Sequence, residues 1–172
     1  MAPKTGLVDY RIEPLGPNHD RTAFLSGVTK LDAYIQRQAF QDLKRNLAAV
    51  FVLTSDSRTI AGFYTLSAHS ILAVELPEPM SKKLPRFPLP VTVLGRMAVA
   101  SFLQGQGWGE FLLLHALERA WIGSRQVASW AVVVDSKSGV RGFYLKHDFM
   151  PLPIQPNRLF LPMKTIEKSF EA

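Results

Sequence analysis

The run Val91-Thr-Val-Leu-Gly-Arg-Met-Ala-Val-Ala100-Ser-Phe-Leu-Gln-Gly105-Gln-Gly-Trp-Gly109-Glu-Phe-Leu-Leu-Leu114 reads, in order, as a strand, a glycine loop and a helix. β-Branched and aliphatic residues stop at Ser101, glycines alternate at 105, 107 and 109, and an apolar block with helical spacing continues to Trp121. Such a junction suits an anion. The first helical turn leaves backbone N–H groups without partners, the helix dipole adds partial positive charge, and glycine removes the side chains that would keep a phosphate away. The loop is therefore expected to grip the pyrophosphate of a cofactor.

Charge on either side of this junction is uneven. The chain carries a formal net charge of +6, yet no Asp or Glu falls between Pro79 and Gly109, where Lys82, Lys83, Arg86 and Arg96 lie. A second acid-free gap, Ser136 to His147, holds Lys137, Arg141 and Lys146. Two basic zones flanking the loop suit a phosphate-rich cofactor, a nucleic-acid substrate or both, and a solvated basic surface without a partner is the plainer alternative.

With 172 residues, 47% of them hydrophobic, the chain supports one core and is read as a single domain over residues 1–172. It has no cysteine, which excludes a disulfide framework, thiolate metal sites and a cysteine nucleophile. Met-Ala-Pro-Lys-Thr-Gly lacks the apolar block of a secretory signal, and no apolar run approaches a membrane span. A soluble, cytoplasmic protein with no metal and no membrane partner is expected.

Tyr10 to Leu15 reads as a short strand stopped by Gly16-Pro17, and the three- and four-residue spacing from Phe24 to Ala39 predicts one or two helices over Asp20 to Arg45. Ala48–Thr54 and Thr59–Leu72 predict a hairpin. Leu76 to Pro90, with five prolines and three basic residues, reads as neither helix nor strand: a basic substrate-facing loop, or a proline-stiffened connector. In the helix after the loop, Leu113, Leu114, Leu117, Ala120 and Trp121 are expected to form the buried stripe, with Gly123 as the stop. A strand over Val127–Val134, a short helix over Val140–Lys146, strands from Phe149 and over Arg158–Lys164, and a frayed tail after Ile166 complete the expectation.

Three readings of the glycine loop compete. A P-loop needs Gly-Lys-Ser/Thr, and Gly107-Trp108-Gly109-Glu110 lacks both lysine and hydroxyl. A Rossmann site is favoured by a following strand that ends in Asp135, but the glycines run Gly-x-Gly-x-Gly, and about one more strand–helix unit follows. The third reading is a resemblance. Gln104-Gly-Gln-Gly-Trp-Gly109 fits the Gln/Arg-x-x-Gly-x-Gly/Ala signature of the GNAT N-acetyltransferase superfamily, and Lys137-x-x-Val140-x-x-Phe143-Tyr144-Leu-Lys-x-x-Phe149 resembles its Asn-x-x-Ala-x-x-Phe-Tyr-x-x-x-Gly-Phe segment. Lys137, Val140 and Asp148 depart from it.

Phe24 to Ile35, Leu94-Gly-Arg96-Met-Ala-Val99 and Pro156-Asn-Arg158-Leu-Phe-Leu-Pro-Met163 are similar to the GNAT toxins of type II toxin–antitoxin modules, the TacT and AtaT kind. The resemblance implies an α/β (α+β) fold, with a central mixed, mostly antiparallel sheet of six to seven strands flanked by about four helices. It implies acetyl-CoA as cofactor, acetylation of the α-amino group of an aminoacyl-tRNA with arrest of translation, a ribbon-helix-helix antitoxin and a toxin homodimer. An ordinary GNAT acting on a small amine or a protein N-terminus is the alternative.

On this resemblance Tyr144 is the acid that protonates the departing coenzyme A thiolate, although Phe143-Tyr144 taken alone, without the glycine loop upstream, reads rather as core packing. The backbone of Gln104, Gly105, Gln106, Gly107, Trp108 and Gly109 is expected to hold the pyrophosphate, Lys137 to join the cofactor contacts, and Met97, Ala98 and Val99 to meet the pantetheine arm and thioester through a strand edge. Arg96, Arg86, Lys82, Lys83, Lys44 and Arg45 form the expected tRNA footprint. No general base stands out; His69 reads as a structural strand histidine.

Overall fold

The computed structural model describes residues 3, 8–136 and 139–171. Lys137 lies outside them. Seven strands form one mixed sheet in the order β1-β2-β3-β4-β5-β7-β6, as the expected fold class requires. All the strand pairings described are antiparallel except β4 with β5. The contacts group into two compact units, residues 1–67 with 95–116 and residues 68–94 with 117–172.

In the first unit, β1 (Arg11–Pro14) pairs with β2 (Ala49–Thr54), and β2 with the start of β3 (Gly62–Ile71). Residues 20–28 are not helical, contrary to the helix expected from Asp20. Gly27 has φ +90°, and Ser26 donates both its N–H (2.8 Å) and its hydroxyl (2.6 Å) to Asp32 Oδ1. The local side chain offers the backbone a better partner than a helical turn would. Helix α1 therefore starts at Thr29 and runs to Arg37, and α2 spans Ala39–Lys44. Ile35 and Ala39 are fully buried with Phe24, Val50, Val52 and Phe63 in one core. Burying an isoleucine of this kind contributes about 2 kcal/mol.

In the second unit, β5 (Ala131–Asp135), β6 (Met150–Pro151) and β7 (Arg158–Pro162) pair in the order β5-β7-β6. The start of β4 (Leu89–Val99) runs parallel to β5 over Val91–Leu94. The proline-rich segment does contain a helix, α3 (Glu78–Ser81), preceded by a 3-10 turn over Ala73–Glu75. Pro79 sits in the first helical turn, where its missing N–H has no intrahelical acceptor to lose. The C-terminal tail is also ordered: α6 (Met163–Glu171) buries Met163 and Ile166 and stacks Phe170 on Trp121 at 5.7 Å.

Helix α4 (Trp108–Ser124) runs one residue past Gly123. Its buried stripe is Leu112, Leu113, Ala116, Leu117 and Ala120, while Leu114 is exposed. No described helix is long and apolar enough to cross a membrane, and no described group of His, Asp and Glu could hold a metal ion.

Candidate functional site

In the first unit, β4 ends by donating Ala100 N–H to Ala61 O (2.8 Å), and a 3-10 turn over Ser101–Leu103 leads into the glycines. Gly105 has φ +77° and Gly107 φ +90°, values that side chains strain to adopt. Phe111 N–H donates to Gly107 O at 3.2 Å and closes the first turn of α4, so the amides of Trp108, Gly109 and Glu110 precede the first intrahelical donor. A Cβ at Gly105 or Gly109 would meet nothing within 4 Å, and one at Gly107 only Pro3 at an ordinary 3.5 Å. Packing does not demand these glycines. A glycine turn with this open space beside it, at the start of a helix, fits the pyrophosphate of acetyl-CoA.

Three side chains of this loop have structural tasks. Gln104 Nε2 donates to Ser26 O (2.7 Å) and Val99 O (2.9 Å). Gln106 Nε2 donates to Phe102 O at 3.3 Å. Trp108 is buried, edge-on to Tyr10 at 5.1 Å and to Phe111 at 5.4 Å, which anchors the start of α4. Both amide hydrogens of Gln104 are therefore taken, whereas the buried Trp108 Nε1 has no hydrogen-bond partner among the described residues.

Of the expected thioester contacts, Ala98 is buried and Met97 and Val99 are half-buried. The parallel ladder to β5 covers Val91–Leu94, and β4 continues to Val99 beyond it. Arg96 N–H donates to the Thr65 hydroxyl at 3.1 Å. Gly95 permits this: a Cβ there would stand 3.1 Å from the same oxygen.

The exposed Arg96 lays its guanidinium on the Tyr34 ring, Cζ 3.8 Å from the centroid. Tyr34 is buried and donates its hydroxyl to Asp42 Oδ2 at 3.0 Å. Burial first, then the Asp42 carboxylate, pushes its phenol up to about 12. Lys44 Nζ lies 4.5 Å from the Phe40 ring centroid, and Arg45 follows it, exposed, at the end of α2. Among the described residues none of Arg96, Lys44 and Arg45 is paired with a carboxylate.

In the second unit, α5 (Arg141–Lys146) carries Tyr144, 8% exposed, edge-on to Phe143 at 5.2 Å and Phe149 at 5.5 Å. Burial alone pushes its phenol up to about 12. Packing and proton donation are compatible in this residue, since burial keeps it protonated. Asp148 has φ +70°, which gives a physical reason for the glycine that the resemblance expects there. Lys82, Lys83 and Arg86 are all exposed, and Lys82 forms an i,i+4 pair with Glu78 at 3.0 Å.

His69 is exposed on β3 and accepts the Ser70 N–H on Nδ1 at 2.8 Å. Tyr34 and Gln38, both within the helical spacing read from the sequence, converge on Asp42, a grouping that no local signal marked. The sequence reading also missed the 2.7 Å hydrogen bond between Tyr64 and His115, which joins β3 to α4 across 51 residues and leaves no local signal.

No protein-family model matches the chain. It is 34% identical over 173 residues to a probable toxin TacT of Sinorhizobium fredii strain NGR234, covering 94% of this chain and 96% of that one. Among solved structures it is similar to AtaT complexed with acetyl-methionyl-tRNAfMet, with a TM-score of 0.88, 30% identity, and 94% and 99% of the two chains covered. It is also similar to a tyrosine-to-phenylalanine mutant of the AtaT toxin bound to the C-terminus of the antitoxin AtaR and acetyl-CoA, with a TM-score of 0.82, 26% identity, and 95% and 99% covered.

Proposed function

The chain belongs to the TacT- and AtaT-like GNAT acetyltransferase toxins of toxin–antitoxin modules, and from that premise we propose that it moves an acetyl group from acetyl-CoA to the α-amino group of an aminoacyl-tRNA. The acetylated α-amine is no longer a nucleophile and cannot act as the acceptor in peptide-bond formation, so translation stops. The observation that carries the reading is the Gly105–Gly109 turn ahead of α4, with positive φ at Gly105 and Gly107 and open space where side chains at Gly105 and Gly109 would stand. The substrate is supported by the relative in complex with acetyl-methionyl-tRNA and by the exposed, acid-free run Lys82, Lys83, Arg86 and Arg96.

Acetyl-CoA, when bound, supplies an activated acetyl thioester. The amides of residues 104–109, with Lys137, hold its pyrophosphate, and the backbone of Met97, Ala98 and Val99 orients its arm through strand-edge N–H and C=O groups. Tyr144 gives its hydroxyl proton to the departing thiolate. The proton that the amine loses on acylation passes to water, and water returns one to the tyrosinate, so the phenol ends as it began. Among the described residues no carboxylate is assigned as base. The α-amine reacts as the free base, and water takes up its proton.

The whole chain, residues 1–172, acts as one catalytic domain in the cytoplasm, where its substrate is. It works as a homodimer, and a ribbon-helix-helix antitoxin neutralises it; the AtaT relative bound to the C-terminus of AtaR supports a protein partner of this kind. The reading is tested by offering the protein labelled acetyl-CoA together with charged tRNA, free amines and bulk protein. Label in the charged tRNA alone supports it. Label in the amines or the protein with none in tRNA contradicts it.

A further inference from the structure

Arg96 makes one side-chain contact of note, and that contact is with a ring. Its guanidinium carbon lies 3.8 Å from the Tyr34 centroid. Arg96 also acts on the Tyr34 hydroxyl by charge and hydrogen bonding, and a guanidinium held in this way loses rotational freedom while its five N–H donors still leave some for a two-oxygen anion. The ring is itself held firmly. Tyr34 stacks on the buried Phe63 at 6.2 Å with an interplanar angle of 23° and is tied by its hydroxyl to Asp42 Oδ2. Asp42 Oδ1 accepts Gln38 Nε2 at 2.8 Å. Both oxygens of the nearby carboxylate are thus engaged, and Asp42 is not ion-paired with Arg96.

We propose that Tyr34, backed by Asp42 and Gln38, is a positioning residue that holds Arg96 as a clamp for a backbone phosphate of the RNA substrate. The inference rests on the aminoacyl-tRNA reading above and adds to it the part of α1 and α2 that aims the cation. It explains why a buried tyrosine directs its hydroxyl to a carboxylate two helical turns along. It also explains why an exposed arginine on a strand next to the proposed thioester contacts has no acidic partner among the described residues. Tyr34 touches neither substrate nor reacting atoms; its effect on the reaction passes through Arg96.

The test is steady-state acetylation of charged tRNA across a salt series by the wild type, Arg96→Gln, Arg96→Lys, Tyr34→Leu and the Arg96→Gln/Tyr34→Leu double variant, with folding of each checked by near-ultraviolet circular dichroism. Arg96→Gln is expected to raise KM for tRNA roughly tenfold and to flatten the logarithmic salt dependence by about one unit, as loss of one phosphate contact requires. Arg96→Lys and Tyr34→Leu keep the charge and lose the stacking; each is expected to raise KM about threefold with the salt slope retained and kcat little changed. In the Arg96→Gln background Tyr34→Leu is expected to add nothing. An unchanged salt slope in Arg96→Gln, a wild-type KM in Arg96→Lys, or a Tyr34→Leu effect of full size in the Arg96→Gln background would each overturn the proposal. Arg96→Lys decides it even if Tyr34→Leu does not fold. A wild type that puts no acetyl on charged tRNA fails at the first column of the same experiment and overturns the underlying reading, and the proposal with it.

Discussion

Gln104 Nε2 donates to the Val99 carbonyl oxygen at 2.9 Å, and its second hydrogen goes to Ser26 O at 2.7 Å. One amide group thus fastens the end of β4 and the segment before α1 to the start of the glycine turn. Gln104→Ala strands two carbonyls and frees the turn. It is expected to lower stability by about 1–3 kcal/mol and to weaken acetyl-CoA binding about tenfold without abolishing it. Urea unfolding and calorimetry measure the two effects, and wild-type affinity in a destabilised variant would mean that the turn keeps its shape unaided.

The glycines separate backbone strain from ligand access. Gly109 lies in the first turn of α4 with open space around its Cβ position, so Gly109→Ala is expected to leave stability unchanged or raise it by about 0.5–1 kcal/mol. Acetyl-CoA affinity should nevertheless fall, because the methyl occupies the approach of the phosphate. Gly107, at φ +90°, should lose stability on replacement by alanine, and Gly107→Glu should lose acetyl-CoA binding altogether through charge and bulk. Normal calorimetric binding by Gly107→Glu contradicts the phosphate assignment.

Alkaline stability reports on Tyr144. Its phenol is pushed up to about 12 by burial, against about 10 in an unfolded chain. The folded protein therefore holds this proton more tightly. The contribution is complete below pH 10 and is lost as the pH rises from about 10 toward about 12. Between pH 9 and 11 the wild type is expected to lose about 1 kcal/mol more than Tyr144→Phe from this group. Tyr34, also raised to about 12, contributes equally to both proteins. Parallel pH profiles for the two proteins in urea unfolding would show that burial does not hold the proton.

The C-terminal helix carries load in the second unit. Ile166 is 1% exposed, and Ile166→Ala is expected to cost about 2–4 kcal/mol by thermal unfolding. Phe170→Ala, which removes only the stack on Trp121, should cost about 1 kcal/mol.

What could be read in the sequence follows the range of the forces involved. Strand β4, the glycine turn and α4 announce themselves within some thirty residues, through alternation, glycines and helical period. Elements defined by distant partners did not. Residues 20–28 have helical spacing, but Asp32 captures Ser26 and breaks the helix. Residues after Ile166 are short and polar enough to look frayed, yet Ile166 and Phe170 have partners elsewhere in the second unit. In α4 the apolar run Phe111-Leu-Leu-Leu114 is too uniform to reveal its buried face, and the choice fell on Leu114 in place of Leu112. At the candidate site the turn ahead of α4 was legible from glycine spacing. The Arg96–Tyr34 contact, between residues 62 apart, was not, because nothing local to either residue marks it. Asp148 at φ +70° was visible only as a departure from a pattern whose physical basis is the backbone angle.

The central claim is that Tyr144 completes acetyl transfer to the α-amine of an aminoacyl-tRNA. Its most direct test is mass spectrometry of the 3′-terminal aminoacyl-adenosine released by nuclease from charged tRNA after incubation with acetyl-CoA and either the wild type or Tyr144→Phe. A mass gain of one acetyl group on the amino-acid moiety with the wild type, and its loss in a folded Tyr144→Phe that still binds acetyl-CoA, is the predicted result. An unmodified aminoacyl-adenosine with the wild type, or full acetylation by Tyr144→Phe, would contradict it.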